Sequence, residues 1–207
     1  LRRMDNDQMI QNTKNRSGKT ALTLASIGGH SAVVRLLLQQ PGVDINSADW
    51  KGTTAFYRSA ENGHSEVVRL LLQQPGVDIN VTNKQGETAF HRSAENGHSG
   101  VLRLLLQQPG VDINVTDSKR ETALHKASTK SFSTVNAQLL LQQPGIDIHI
   151  TNEDGNTALQ LVQTALQLAL AKKIRYRWEL QDKAENVNRL REIVAMLKEF
   201  IASTAGD

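Results

Sequence analysis

Clusters of apolar residues recur along the chain at an interval of 34 residues. In one copy, Val67-Val68 and Leu70-Leu71-Leu72 are flanked and separated by polar or charged residues. This spacing predicts an amphipathic helix, which Pro75-Gly76 ends. A shorter helix is expected before it, capped by a threonine at its start and broken by the Asn62-Gly63-His64 step. Each interval therefore predicts two helices, followed by an extended loop that leads to the next pair.

A short element, Gly-x-Thr-Ala followed by Leu or Phe, sets the phase of these units. It begins at Gly18, Gly52, Gly86, Arg120 and Gly155, so successive copies are 34, 34, 34 and 35 residues apart. In one copy arginine replaces the glycine. The segment 58–80 returns as 92–114 with only two changes. A repeat of this length predicts a stack of similar small units. Such a stack offers a long surface and usually no enclosed pocket, which favours binding over catalysis.

These residues resemble the ankyrin repeat. The segment 86–98, Gly-Glu-Thr-Ala-Phe-His-Arg-Ser-Ala-Glu-Asn-Gly-His, follows the family pattern closely, and so does Val111-Asp-Ile-Asn114. Alanine replaces the family's proline in every copy. The resemblance implies an all-α, ankyrin-type helix-turn-helix solenoid with β-turn or hairpin loops. It also implies a non-catalytic protein-interaction module, in which a partner docks along the concave groove and the loop tips.

We expect one solenoid domain with irregular ends. Residues 1–17 look like the tail of a preceding repeat, with Asn12 in the place of Asn80. Arg120, in a glycine position, is expected to hold an unfavourable backbone angle that costs about 1 kcal/mol. No glycine or proline stands between Asn156 and Ala205, which predicts long helices in an enlarged C-terminal helical cap. The predicted repeats are 18–51, 52–85, 86–119, an irregular 120–154, and an extended fifth repeat with the cap at 155–207.

Composition narrows the possible chemistry. The chain has no cysteine, which excludes disulfides, a catalytic thiol and thiolate zinc sites. Its formal charge of +3 over 207 residues does not by itself indicate nucleic-acid binding. No signal peptide and no apolar stretch long enough to span a bilayer are visible. We expect an intracellular protein, cytoplasmic or nuclear.

The patterns that could carry chemistry lie in phase with the repeat, which favours structural roles for them. Gly18-Lys19-Thr20 resembles the end of a phosphate-binding loop, but Thr13 stands where such a loop needs glycine. Histidines one repeat apart are expected about 10 Å from each other, too far to share a metal. They recur in two phases, as His30, His64 and His98, and as His91 and His125. We therefore expect no catalytic residue, metal, cofactor or small-molecule substrate.

The resemblance assigns partner contacts to the loop tips and to the inner face of each first helix. The residues we expect to contact a partner protein are Trp50, Lys51, Tyr57, Arg58, Glu61, Lys84, Gln85, Glu87, Arg92, Glu95, Ser118, Lys119 and Lys126. Trp50 either anchors an interface or lies across a neighbouring loop. Arg58, Arg92 and Lys126 form a cationic ladder, which nearby glutamates either leave open or neutralise. We expect the Trp50→Ala/Arg92→Glu double variant to weaken binding with little change in melting temperature.

One segment outside the repeat pattern supports an alternative function. Basic and aromatic residues interleave there, as they do in sites for nucleic acid or anionic membranes. The residues of this alternative basic site are Lys172, Lys173, Arg175, Arg177 and Trp178. Acidic residues follow directly from Glu179, so a salt-bridged helix face is the competing interpretation. Our main expectation is a monomeric chain that binds another protein.

Overall fold

The computed structural model describes residues 12–129, 134–175 and 180–204, without the side chains of 168–175, 180–186 and 204. Every regular element within these ranges is an α-helix, and a single β-bridge pairs Thr82 with Thr88. The predicted all-α fold of paired helices is therefore confirmed. The chain divides into two compact units, and each is described separately below.

The first unit contains Leu1–Ser93 and Gly100–Val111. Its first helix of each pair has seven residues, and its second helix has eight. The helices are α1 (Ala21–Ile27), α2 (Ser31–Leu38), α3 (Ala55–Glu61) and α4 (Ser65–Leu72), followed by α5 (Ala89–Glu95) and α6 (Ser99–Leu106), each mostly within this unit. Within a pair, α1 packs against α2 and α3 packs against α4. Between pairs, α1 packs against α3 and α2 packs against α4, which makes a stack of helix pairs.

The ends of these helices follow from residues that the sequence repeats. The hydroxyl oxygens of Thr20 and Thr54 accept hydrogen bonds of 3.2 Å from the backbone N–H groups of Thr23 and Tyr57, which confirms the predicted threonine caps. Helix α3 ends at Glu61, and its C-cap is Asn62, the start of the Asn-Gly-His step. Helix α4 buries its apolar cluster, since Val67, Val68, Leu70 and Leu71 are at most 5% exposed. Burial of each such side chain contributes about 1.5–3 kcal/mol to folding.

Asparagines at one repeat position connect each loop to the next. Each asparagine Nδ2 donates to a glycine carbonyl about one repeat further on, at 2.8 to 3.2 Å. We call these hydrogen bonds the asparagine links. They are Asn12–Gly42, Asn46–Gly76 and Asn80–Gly110 in the first unit, and Asn114–Gly145 in the second. Asn12 thus makes the contact that Asn80 makes in a complete repeat.

The second unit contains Ala94–Ser99 and Asp112–Asp207, and it holds the longest helices. These helices are α7 (Ala123–Thr129), α8 (Thr134–Leu141), α9 (Ala158–Arg175) and α10 (Leu180–Thr204). The lengths of α9 and α10, 18 and 25 residues, confirm the prediction of long C-terminal helices. Helix α9 packs against α7 and α10, and α8 packs against the same two helices.

Arg120 has the backbone conformation that its glycine position predicts. Its φ is +58°, and no other non-glycine residue within the described ranges has a positive φ. An L-residue pays a steric cost there because its Cβ crowds the backbone. The unfavourable backbone angle predicted for Arg120 is therefore confirmed.

Candidate protein-binding surface

Each loop tip is closed by one aspartate or asparagine side chain. Asp49 Oδ1 accepts hydrogen bonds from the backbone N–H groups of Lys51 and Thr53, at 2.9 and 3.0 Å. Asn83 Oδ1 accepts the same two bonds from Gln85 and Glu87, at 2.9 and 3.0 Å. Such side-chain-to-backbone bonds fix a tight turn. The tips therefore present their outer residues from a defined backbone.

Neighbouring tips are also joined through their backbones. In the first unit, Trp50 N donates to the Ser17 carbonyl at 3.4 Å, and Lys84 N donates to the Lys51 carbonyl at 3.2 Å. In the second unit, Glu153 N donates to a tip carbonyl at 2.8 Å. Consecutive tips within a unit therefore form a continuous edge.

Trp50 lies across the preceding loop and is still 61% exposed. Its Nε1 donates to the Arg16 carbonyl at 3.0 Å, and the Lys14 Nζ lies 5.9 Å from the centre of a ring. A Cβ on Gly18 would lie 2.8 Å from the indole Cδ2, so the ring sits directly against that glycine. The two sequence interpretations of Trp50 are thus compatible, because the indole is fixed by a neighbouring loop and keeps an open surface.

Arg58 is held between two carboxylates. Its Nη2 lies 3.0 Å from Asp49 Oδ2, and its Nη1 lies 2.8 Å from Glu61 Oε2. Burial opposes the charged form of Arg58, but the hydrogen bonds to these carboxylates outweigh it and raise the pKa of the guanidinium. Burial also acts to raise the pKa of Asp49, but hydrogen bonds from Thr53, Arg58 and Lys51 lower it well below its usual range. The pair is therefore charged on both sides.

The remaining ladder cations are paired in the same way. Arg92 Nη2 lies 3.2 Å from Glu61 Oε1, and its Nη1 lies 3.9 Å from Glu87 Oε1. In the second unit, Lys126 Nζ lies 2.8 Å from Asp117 Oδ2 and 2.9 Å from a Glu121 carboxylate oxygen. Burial alone would raise the pKa of Asp117, but Lys126 and two backbone N–H groups lower it. Nearby carboxylates thus neutralise the ladder, as one of the two sequence interpretations proposed.

The contacts of Arg92 bear on the stability expected for Arg92→Glu. A glutamate at position 92 would face Glu61 and Glu87, which now receive the Arg92 guanidinium. Like charges brought together in a partly buried site destabilise a fold. We therefore expect the Arg92→Glu component of the double variant to lower the melting temperature.

Two expected contact residues, Tyr57 and Glu87, are buried. Tyr57 is 1% exposed, and its hydroxyl accepts a 2.8 Å hydrogen bond from Asn83 Nδ2. Burial, together with the nearby carboxylates, raises the pKa of this phenol. Glu87 is 9% exposed, and one of its oxygens accepts from Asn83 Nδ2 at 2.8 Å. The expectation that the Tyr57 side chain contacts a partner is wrong, because its ring packs into the core.

The position of Tyr57 within its repeat could have indicated that its side chain is buried. Tyr57 stands in the position that His91 and His125 take in later repeats, and both histidines are at most 2% exposed. Their Nδ1 atoms lie 2.9 and 2.8 Å from the hydroxyls of Thr88 and Thr122. These contacts confirm the structural role expected for His91 and His125.

Several expected contact residues do remain on the surface. A shallow recess of about 200 Å³ above the Arg58–Glu61–Arg92 network is bordered by Lys51 and Gln85. Glu95 is half-buried. The exposed members of the expected set are Trp50, Lys51, Lys84 and Gln85 in the first unit, and Ser118 and Lys119 in the second.

Sequence reasoning missed two exposed cations near these tips. Lys14 and Arg16 belong to the preceding loop, against which Trp50 packs, and both are exposed. Arg16 stands in the same repeat phase as Trp50 and Lys84, so periodicity could have identified it. From the sequence, residues 1–17 are assigned only to the tail of a preceding repeat.

The alternative basic site falls outside the described side chains. The backbone of positions 172, 173 and 175 lies at the end of α9, but the side chains of Lys172, Lys173 and Arg175 are outside the described residues. Arg177 and Trp178 are outside them entirely. Among the helices that the structure describes, none is long and apolar enough to cross a membrane. The described side chains also contain no group of three or more His, Asp or Glu residues placed to hold a metal ion.

Comparisons with known proteins agree with this architecture. The family model described as "Ankyrin repeats (3 copies)" matches residues 4–83, 41–117 and 90–176. A solved structure, titled "Crystal Structure of EF0377 an Ankyrin Repeat Protein", superposes with a TM-score of 0.74. The alignment has 21% identity and covers 95% of this chain and 89% of that one, a level of identity that supports the fold alone. No curated protein sequence is significantly similar to the chain.

Proposed function

Since the chain belongs to the ankyrin repeat family, whose domains are generally protein-binding modules, we propose that it docks a partner protein without catalysing a reaction. The partner lies along the loop tips and the adjoining groove. The contacts are spread over several repeats, as the periodic arrangement of exposed tip residues allows.

Trp50 is the observation that carries this proposal. Tryptophan is enriched among residues that dominate binding energy. Its indole is held by the Arg16 carbonyl and lies against Gly18, so little side-chain freedom is lost when a partner covers it. With 61% of the residue exposed, apolar surface is available in a fixed position.

The groove next to Trp50 offers a partner its shape and its hydrogen-bonding groups more than a net charge. Arg58 and Arg92 share Glu61, and each has a second carboxylate partner in Asp49 or Glu87. A partner that displaced one of these pairs would leave a partly buried charge without its counterion, which is unfavourable. We therefore place the main contacts at the tips, with the network acting as a rigid support.

The test is a comparison of three proteins as baits. The intact chain, Trp50→Ala and Leu36→Ala are immobilised, and proteins retained from a lysate are identified by mass spectrometry. Leu36 is a matched control because it is also 61% exposed but belongs to the second helix of its pair. We expect a specific partner on the intact chain and on Leu36→Ala, with binding to Trp50→Ala weakened about 30-fold. Equal recovery by all three baits would contradict the proposal.

A further inference from the structure

The loop tips of the first unit carry exposed positive charge without exposed negative charge. We define the tip edge as residues 14–19, 48–53 and 82–87. Its only acidic residues are Asp49 and Glu87, which are 5% and 9% exposed. Its exposed cations are Lys14, Arg16, Lys51 and Lys84.

The two acidic residues of the tip edge already have partners. Asp49 Oδ2 lies 3.0 Å from Arg58 Nη2 and 3.5 Å from Lys19 Nζ. Glu87 accepts from Asn83 and lies 3.9 Å from Arg92. Neither carboxylate neutralises the outer cations. The side chains of Arg16, Lys51 and Lys84 form no ion pair with any residue that the structure describes.

The outer side of the same unit has a different charge pattern. Arg35 and Arg69 both face Glu66, so exposed cations there share a counterion on a neighbouring side chain. Of the three exposed arginines on these second helices, Arg35 and Arg69 thus have a counterion, whereas Arg16, Lys51 and Lys84 at the tip edge all lack one among the described residues. This difference is the basis for assigning a ligand of opposite charge to one face of the unit.

We propose that the tip edge binds an extended acidic segment of a partner protein, with an apolar side chain of that segment against Trp50. This inference rests on the proposed function and specifies the chemistry of the partner. Packed helices lie about 8–10 Å apart, so three tips span about 20 Å, the length of about six extended residues. Carboxylates on such a segment meet Arg16, Lys51 and Lys84 while the backbone of the edge stays fixed.

The surroundings of Trp50 favour a protein segment over a nucleic acid. Single-stranded nucleic acids bind mainly by stacking bases on open aromatic faces. The Trp50 indole has the Lys14 ammonium 5.9 Å from a ring centre and the Gly18 backbone against its ring atoms. Its face is therefore already occupied in part. An apolar side chain of a protein segment, unlike a stacking base, needs to contact only the part of the indole ring that remains exposed.

A random 12-residue peptide library displayed on phage tests this proposal. It is selected on the intact chain, on the tip variant Arg16→Gln/Lys51→Gln/Lys84→Gln, and on a control variant. The control, Arg35→Gln/Arg69→Gln/Arg103→Gln, removes the same number of exposed arginine and lysine charges from second helices of the unit. We expect peptides rich in Asp and Glu from the intact chain and from the control, and loss of this enrichment on the tip variant.

An enriched peptide is then synthesised with a fluorescent label for anisotropy titrations. We expect at least a tenfold weaker Kd for the tip variant than for the control, and weaker binding to the intact chain as salt is raised from 50 to about 300 mM. A labelled 20-nucleotide poly(U) strand is titrated in parallel. If it binds more tightly than the peptide and loses affinity in the tip variant, the ligand is a nucleic acid and the inference is overturned.

The remaining outcomes separate this inference from the proposed function. If the enriched peptides lack acidic residues but are no longer enriched on Trp50→Ala, the proposal of an acidic partner is overturned. The proposal that the chain docks a protein then still stands. If no peptide is enriched on the intact chain, the proposal that the tip edge binds an extended segment is overturned. The bait comparison with Trp50→Ala and Leu36→Ala then decides protein docking independently.

Discussion

Glu61 and Arg92 belong to consecutive repeats, and their carboxylate and guanidinium lie 3.2 Å apart. The other oxygen of the same carboxylate lies 2.8 Å from Arg58 Nη1. One glutamate therefore holds two cations that the sequence places 34 residues apart. The ion pairs stabilise the stacking of the repeats and remove the ladder cations from the charge that a partner meets.

Reversing the charge at Arg92 is expected to destabilise the protein. Arg92→Glu faces Glu61 and Glu87, and we expect a loss of about 1–2 kcal/mol in free energy of unfolding. Thermal unfolding followed by circular dichroism measures it. Arg103→Glu is the control, since Arg103 is exposed and forms no ion pair with any described residue. A melting temperature that falls equally in both variants would show that the network contributes nothing specific.

Asp49 is expected to make stability depend on acidic pH. Its pKa is lower in the folded state than the ordinary value of 3.8, so its contribution is present above that value. The contribution is lost as the pH falls through the lower folded-state pKa. Urea unfolding of the intact chain from pH 6 to pH 2 should therefore show falling stability, part of which Asp49→Asn removes.

Asp49→Asn removes the negative charge of this side chain but keeps the geometry of the turn. Asn83 closes its own tip with the same two backbone hydrogen bonds, so an asparagine at position 49 keeps the turn. The variant loses the ion pair with Arg58, and we expect about 1–2 kcal/mol less stability at pH 7. Asp78→Asn is the control, because Asp78 accepts only a local 2.9 Å backbone bond from Asn80. An unchanged acid profile in Asp49→Asn would rule out this source of pH dependence.

Arg120→Gly is expected to stabilise the second unit. At φ +58° glycine is free of the Cβ strain, and we expect a gain of about 1 kcal/mol in urea unfolding. Gly155→Ala is the reciprocal control. Gly155 has φ +76° and no atom within 4 Å of an added Cβ, so alanine there introduces strain without a clash. Opposite signs for the two variants are expected, and a destabilising Arg120→Gly would show that the arginine side chain has a compensating role.

Gly18→Ala is expected to displace Trp50. The added Cβ would lie 2.8 Å from the indole Cδ2, closer than such atoms approach in proteins. We expect an altered tryptophan emission spectrum and weaker partner binding. Gly76→Ala adds comparable backbone strain at φ +79° with open space around its Cβ, and it should leave the emission unchanged. Identical spectra for the two variants would mean that Gly18 does not position the indole.

Repeat phase predicted the helices well because each boundary depends on local residues. The Thr54 cap and the break at Asn62 act within one turn of the helix that they end. The same local chemistry predicted the positive φ of Arg120 from the glycines at its position in the other repeats. These features require no knowledge of contacts between repeats.

The site was less predictable because its contacts cross from one repeat to the next. Tyr57 is expected at the surface from its place on a first helix, but its hydroxyl contacts Asn83 of the next loop tip. The sharing of Glu61 between two arginines depends on how far apart the stacked helices lie. The spacing of residues in the sequence gives the position of a side chain within its repeat. It does not show which residue of a neighbouring repeat that side chain contacts.

The asparagine links have a mechanical consequence. In the first unit Asn12, Asn46 and Asn80 each join a loop to a carbonyl about 30 residues further along the chain. A force that pulls on the two ends of the unit therefore loads these links in series, and the weakest one opens first. We expect extension in discrete steps of about one repeat, so that the unit would act as an elastic element that lengthens without losing all its repeats at once.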